Sequence, residues 1–272
     1  MTRLARILLS IYFAIAVAFL MLPLVLLFPI SLTESQFLEF PPRTLSLRWY
    51  REFFVDQSWV GSTILSVQVG IGATVISLVV GTLASVAIVR GDFPGRRLLH
   101  ALLIAPLIIP TVILALALFI LYLRWKWIDN LPALIVAHAV IALPYVVLIV
   151  SASLRTFDTT IERAARVFGA SPLRAFFAVT VPYLAPALFA SSLLAFFASF
   201  DELIITLFVS GGLQTLPVRI WTDLTLRLDP TVAAAASMLI VVSVAGMSVA
   251  EYFRQRNIRR YATADQPETV RP

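Results

Sequence analysis

The sequence predicts an all-α polytopic membrane protein of six transmembrane helices, arranged as a single domain over residues 1–272. Three observations predict this. Hydrophobic residues make up 60% of the chain and charged residues 13%, whereas a soluble domain carries about a quarter charged residues. The charges are also segregated: stretches 7–33, 57–89, 98–123, 130–154, 175–200 and 230–250 contain no Asp, Glu, Lys or Arg. Each stretch reaches the roughly 20 residues that a helix needs to cross the hydrocarbon core. Finally, no segment shows the alternating polarity that marks the strands of a membrane barrel.

Taken in order, the first span is expected near 7–30. It follows MTRLAR, as a signal peptide would, but its apolar run exceeds the roughly 7–15 residues of a signal core and predicts an uncleaved helix. The loop that follows contains LSLRWYREFF, whose aromatic residues suit a short helix at the membrane interface. The second span, 61–89, carries Ala73, Ser77, Gly81 and Ser85 at four-residue spacing, a stripe of small residues that lets another helix backbone approach closely. RGDFPGRR then makes a tight turn.

The third span, 99–123, contains Pro106 and Pro110, and the fourth, 132–154, contains Pro144. Each proline removes a helical hydrogen bond and predicts a bend. His138 lies inside the fourth span, where a lone histidine is expected to bond a neighbouring helix rather than to relay protons. The fifth span is placed at 184–208, after Pro182, and the sixth at 231–253, ahead of a polar tail over 254–272 that is expected to fray.

Charge distribution sets the expected orientation. With a cytoplasmic N-terminus, inner segments hold 14 of the 21 Lys and Arg residues: Arg3, Arg6, Arg90, Arg96, Arg97, Arg155, Arg163, Arg166, Arg174, Arg254, Arg256, Arg259, Arg260 and Arg271. The outer segments hold 7, among them Lys126, Arg219 and Arg227. This asymmetry places both termini in the cytoplasm. Trp49, Trp59, Trp125, Trp127 and Trp221 all fall in or beside outer segments, as interfacial indoles would. The basic pI near 10.2 therefore reflects membrane topology rather than a nucleic-acid partner.

The most informative loop, 155–183, is amphipathic twice over. Ile161, Ala164, Ala165 and Phe168 follow i, i+3, i+4, i+7 spacing and predict one apolar face, with Glu162, Arg163 and Arg166 pointing away. Gly169 supplies the left-handed residue that ends this helix, and Ser171-Pro172 offers a cap and first position for the next. Leu173, Phe176 and Phe177 give the second helix its own apolar face, and Pro182 is expected to close the loop. Such a helix pair either lies on lipid or inserts into a groove on a soluble partner.

Residue chemistry leaves that choice open, but the pattern Ala164-Ala165, Gly169 and Val179-Thr180-Val181-Pro182 resembles the EAA signature of permease subunits in bacterial ATP-binding-cassette importers. One position departs: the glutamate slot before the two alanines holds Arg163, with Glu162 displaced by one. LSLRWYREFF, ASFDELIITLFVSGG and QTLPVRIWTDL are similar to the spermidine/putrescine-type branch, so the resemblance covers most of the chain. It implies the fold of a type I importer permease, with Glu162 to Pro182 forming coupling helices that fit a cleft on an ATPase subunit. It further implies a cytoplasmic-membrane assembly with an ATPase dimer, an extracytoplasmic solute-binding protein and a second permease chain, a different one rather than a copy. ATP and Mg would be bound by the ATPase, with no cofactor in this chain.

Three exclusions agree with that expectation. The one lysine, Lys126, follows no glycine, so a phosphate-cradling loop is absent from the sequence. There is no cysteine, and only His100 and His138 are available to a metal. No acid, base and nucleophile stand at catalytic spacing, which argues against an enzyme. Asp201 and Glu202 fall within the fifth predicted span, where charge is expensive and usually functional, and are expected to line a pathway for a cationic or zwitterionic solute. A secondary transporter or channel, with those carboxylates coupled to an ion gradient, is the competing expectation.

Overall fold

A computed structural model describes residues 3–226 and 229–264. It is helical throughout, and the one strand-type pairing among the described residues is an isolated bridge between Thr33 and Leu45. The chain divides into two compact units, Met1–Thr63 with Val218–Ala245, and Ile64–Pro217 with Gly246–Pro272.

In the first unit, α1 (Arg3–Ser31) is apolar along its length, and only Ser31 is buried. The Ser31 hydroxyl donates to the Phe28 carbonyl at 2.7 Å and shares a hydrogen bond with the Tyr50 hydroxyl, which in turn meets the Ser237 hydroxyl. The expected interfacial helix is present as α2 (Arg48–Val55), with Trp49 and Phe53 buried on one face while Arg51 and Glu52 are exposed. Arg219, on the helix α11 introduced below, is held by Asp223 at 3.1 Å and by the face of Trp59 at 5.3 Å. Asp223 is almost fully enclosed, so its charge requires this guanidinium.

The second unit is built on α3 (Gln57–Arg90) and α6 (Leu131–Thr156). The small-residue stripe faces α6 as expected. Ala73, Ser77 and Ser85 have no exposed surface, and the Ser77 and Ser85 hydroxyls donate to the Ala139 and Val147 carbonyls of α6 at 3.2 and 3.3 Å. At Gly81 a Cβ would lie 2.8 Å from Cγ1 of Val146, a contact that only glycine avoids. Helix α6 also packs against α9 (Val181–Phe200): Ala142, Val146, Val150 and Leu154 form one cluster with Leu184 and Ala195, bordered by Leu78, Val86 and Val89 of α3.

Several spans depart from the sequence expectation. The predicted third span, 99–123, is not one helix: α4 (Arg96–Ile104) and a short 3-10 turn (Ala105–Leu107) are followed by α5 (Thr111–Trp125) after a bend of 105°. Two prolines four residues apart are the cause, because Pro110 takes an extended conformation (φ −53°, ψ 128°) and the helix restarts only after it. Pro144, by contrast, is accommodated inside α6.

The fifth span is displaced from 184–208. Helix begins at Pro172 with α8 (Pro172–Ala175), passes through a π-helical turn over Phe176–Thr180 and continues as α9 to Phe200. Pro182 therefore does not close the loop; it sits in the first turn of α9. The wide turn supplies the reason: a proline at 182 cannot donate to the carbonyl four residues back, and a local change of helical pitch absorbs that defect. The apolar LIITLFV run forms a separate helix, α10 (Ile204–Val209).

The sequence reading did not anticipate α11 (Leu216–Leu226) as an element. The last span appears as α12 (Thr231–Ala264), which continues past the expected fray point at Arg254. Residues 265–272 of the predicted tail, and Arg227 and Arg271 from the charge count, lie outside the described residues. Four single helices and the bent pair are long and apolar enough to cross a membrane, and a sixth apolar stretch occupies Thr231–Gly246.

The α3–α6 contact makes a direct prediction. Gly81→Ala should lower the detergent unfolding midpoint by an amount equivalent to about 1–3 kcal/mol, because β-branched Val146 cannot swing away. Gly61→Ala, where a Cβ meets open space within the helix, should keep the midpoint or raise it slightly.

Candidate functional site

The loop between α6 and α9 begins at α7 (Thr159–Val167). Its cap is Asp158, whose carboxylate accepts from the Thr160 amide at 2.9 Å and satisfies one of the orphan donors of the first turn. Those hydrogen bonds from Thr160 hold the Asp158 carboxyl below the usual carboxylate range. At the far end Gly169 has φ +92°, with its amide bonded to the Arg166 carbonyl and the Ala170 amide to the Ala165 carbonyl. This pair of bonds is a Schellman closure, and its left-handed residue is the reason for glycine. Ser171 then caps α8, its hydroxyl accepting from the Arg174 amide at 3.3 Å, with Pro172 at the first helical position.

Helix, glycine turn and second helical start are thus where the sequence puts them, and the apolar residues are left open, as contact with lipid or with a partner's groove requires. Phe168 is 91% exposed, Val167 84% and Leu173 71%. Ile161, Ala164 and Phe177 are exposed as well, and Ala165 is half-buried. Glu162, expected to point outward, turns inward with its side chain 18% exposed. Its carboxylate meets Arg90 Nη1 at 2.8 Å and accepts from the Thr180 hydroxyl at 2.6 Å, while Arg90 Nη2 donates to that same hydroxyl at 3.2 Å. The Arg90 guanidinium also lies over the rings of Phe157 and Phe176, at 5.4 and 5.9 Å.

A charge-assisted partner in a largely screened site is worth about 1.5–3 kcal/mol, against roughly 0.8 kcal/mol for burying one alanine methyl. This is why Glu162 rather than the alanines faces the core. Arg163 and Arg166 remain on the exposed side with the apolar residues. Sequence reading missed Arg90, because at the mouth of RGDFPGRR it looked like one more basic turn residue. The available signal was Glu162, the one acid within α7 itself.

The second candidate group lies at the break between α9 and α10. Asp201 ends α9, its amide bonded to the Phe197 carbonyl at 3.0 Å, and its side chain is exposed. Glu202 turns to α10 and accepts from the Ile205 amide at 2.9 Å, acting as a cap. The break is held by His138 on α6. Its Nδ1 meets the carbonyl and hydroxyl of Ser199 at 3.0 and 2.9 Å, and its Nε2 meets the Thr206 hydroxyl at 2.9 Å. His138 is a tie between helices, as its isolation in the span suggested. Of the two carboxylates, Asp201 is the one left with its oxygens uncommitted to helix capping. Nearby, Gly211 (φ +64°) and Gly212 pack on Asp129, whose carboxylate accepts from the Gly212 amide at 3.1 Å. The residues of the α6–α9 loop and the carboxylate pair are not brought together.

Comparison with known proteins bears on both groups. Residues 77–259 match the family described as binding-protein-dependent transport system inner membrane component. The chain belongs to that family. It is a multi-pass inner-membrane permease subunit of an ATP-binding-cassette importer, the class that works with an ATPase and a solute-binding protein.

Among similar proteins, the putrescine transport system permease protein PotI of Escherichia coli K12 is 34% identical over 79% of this chain and 82% of its own length. The trehalose transport system permease protein SugB of Mycobacterium tuberculosis is 30% identical over 84% of this permease and 85% of its own length. The crystal structure of a bacterial ABC transporter that imports the acidic polysaccharide alginate contains a chain that superposes with TM-score 0.75 at 15% identity, covering 93% of this permease and 98% of that chain. That likeness shows the fold.

The Asp158 cap carries a pH prediction. Its carboxyl is lower in the folded chain than the ordinary value of about 3.9, so the cap's contribution is complete above that value and is lost as pH falls through the folded one. Hydrogen exchange at the Thr160 amide should accelerate below about pH 4. In Asp158→Ala the exchange should be fast and pH-independent after correction for intrinsic rates.

Proposed function

We propose that this permease subunit moves a small polar solute of the polyamine class, or a related cationic or zwitterionic compound, into the cytoplasm, driven by ATP hydrolysed on a separate subunit. The observation that carries the driving half of this reading is the exposed apolar end of α7. Val167, Phe168 and Leu173 stand in the open beside Arg163 and Arg166, around a hydrogen-bonded Schellman turn at Gly169. Exposed aromatic and aliphatic side chains on a firmly capped helix suit a protein groove better than water.

In this reading Ala164, Ala165 and Gly169 form the part of the coupling loop that the ATPase grips, and Arg163 presents a cation where the family places an acid. Glu162 serves the inside of the loop, and Pro182 carries the motion into α9. The ATPase dimer binds ATP and Mg, and this chain needs no cofactor and performs no hydrolysis. ATP binding closes the ATPase pair, and because the loop binds the closed pair in one arrangement of the spans, that arrangement becomes favoured. A second, different permease chain completes the pathway, and a solute-binding protein delivers from the outer side. Both termini are cytoplasmic, as the arginine distribution suggests.

The substrate class rests on relatives and on Asp201. Similar proteins are named for putrescine and for trehalose at comparable identity, so identity alone does not choose. An exposed carboxylate beside a helix break favours a cation, since the negative end of α9 adds to the local field.

Two measurements test this. Cysteine placed at Phe168 should crosslink to the co-encoded ATPase in the intact assembly, and recovery of lipid adducts alone would remove the coupling role. Asp201→Asn should lower uptake of a radiolabelled polyamine by about tenfold, the effect of losing roughly 1.4 kcal/mol of site stabilisation, with membrane insertion unchanged. Uptake that survives ATP depletion but is abolished by a protonophore would instead assign the chain to ion-coupled transport.

A further inference from the structure

Arg90 closes α3, yet its guanidinium touches four other places in the chain. These are Glu162 on α7, Thr180 in the π-turn before α9, Phe157 just after α6, and Phe176 at the start of that π-turn. No other described side chain forms an ion pair with α7. The exposed side of α7 makes none of these contacts, and the end of the helix at Val167 and Phe168 is open. A force applied to that open surface therefore reaches the spans through the covalent chain at either end, through the packing of α7 on the π-turn, and through this cluster, the one polar link among them.

The chain routes are held by backbone and capping hydrogen bonds, with no packed side chains to brace them at Gly169. Asp158 is an exposed cap, and Gly169 with Ser171-Pro172 makes a turn with no packing around the glycine, where an added Cβ would meet open space. The cluster is stiff by comparison, because one guanidinium is shared among a carboxylate, a hydroxyl and two ring faces, with Arg90 and Glu162 both largely screened from solvent.

Resting on the reading above, we infer that Arg90, Glu162 and Thr180 form the joint through which α7 is fixed to α3 and α9, so that Arg90 and Glu162 are positioning residues for energy coupling. The displacement of glutamate from slot 163 to 162 then has a physical meaning. A one-residue shift turns a helical side chain by about 100°, so an acid at 162 meets Arg90 whereas position 163 faces the exposed side.

The test uses the complete importer, with its ATPase, second permease and solute-binding protein, in lipid nanodiscs. Glu162→Gln keeps the size and an acceptor for Thr180 but removes the ion pair, and Thr180→Val removes the bridging hydroxyl alone. Each should leave ATPase co-purification at the wild-type level while solute-stimulated hydrolysis and uptake fall roughly tenfold, the range of one coupling interaction. The exchange Arg90→Glu with Glu162→Arg should recover most of that loss relative to either single variant. Stimulated hydrolysis within about twofold of wild type in both Glu162→Gln and Thr180→Val, or an exchange no better than the product of its singles, overturns the joint. Loss of the ATPase from both variants overturns it too, because these residues would then be docking contacts. A wild-type assembly that fails to retain the ATPase removes the coupling reading itself, a result distinct from all of these.

Discussion

Within hydrocarbon no water is at hand to satisfy a polar group, so the backbone must be paired inside the protein, and much of the second unit's arrangement answers to that constraint. The Ser77 and Ser85 hydroxyls reach α6 carbonyls, His138 spends both ring nitrogens on Ser199 and Thr206, and Tyr122 donates to the Ala133 carbonyl. Helix defects obey the same rule. Where Pro182 withholds an amide the helix widens into a π-turn, and where Pro110 withholds one the helix stops and restarts.

The constraint also explains the asymmetry of the loop. Glu162 and Arg90 are charges at the margin of an apolar body, and each is tolerated because the other is there. Pairing them turns α7 so that its apolar residues face away from the permease. The amphipathic helix keeps its apolar side open for a neighbour, and only Glu162 departs from the expected polar face. Local sequence periodicity sees two faces but not which one is already spoken for.

Much of the fold was legible residue by residue. Charge-free stretches located α1, α3, α6 and the start of α12 to within a few positions, and small residues at Ala73, Ser77, Gly81 and Ser85 announced the α3–α6 contact. Gly169 and Ser171-Pro172 marked the turn. The errors fell where two signals competed. Pro106 and Pro110 were read as kinks within one span, although together they turn the chain by 105°. LIITLFV was read as continuing the fifth span because its apolarity outweighed the break at Asp201 and Glu202. α11 was missed because its mixed composition lacks the apolar length that marks the spans.

Composition and spacing by themselves determined that this chain lives in a membrane, how many apolar segments it has, and which loop carries the family signature. Those properties depend on transfer free energy and local backbone geometry, both written along the chain. The tertiary structure alone decided that Arg90 is Glu162's partner, that His138 clasps the helix break, and that Phe168 faces outward. Each of these depends on residues far apart in sequence meeting in space, and pairing at a distance leaves no periodic trace.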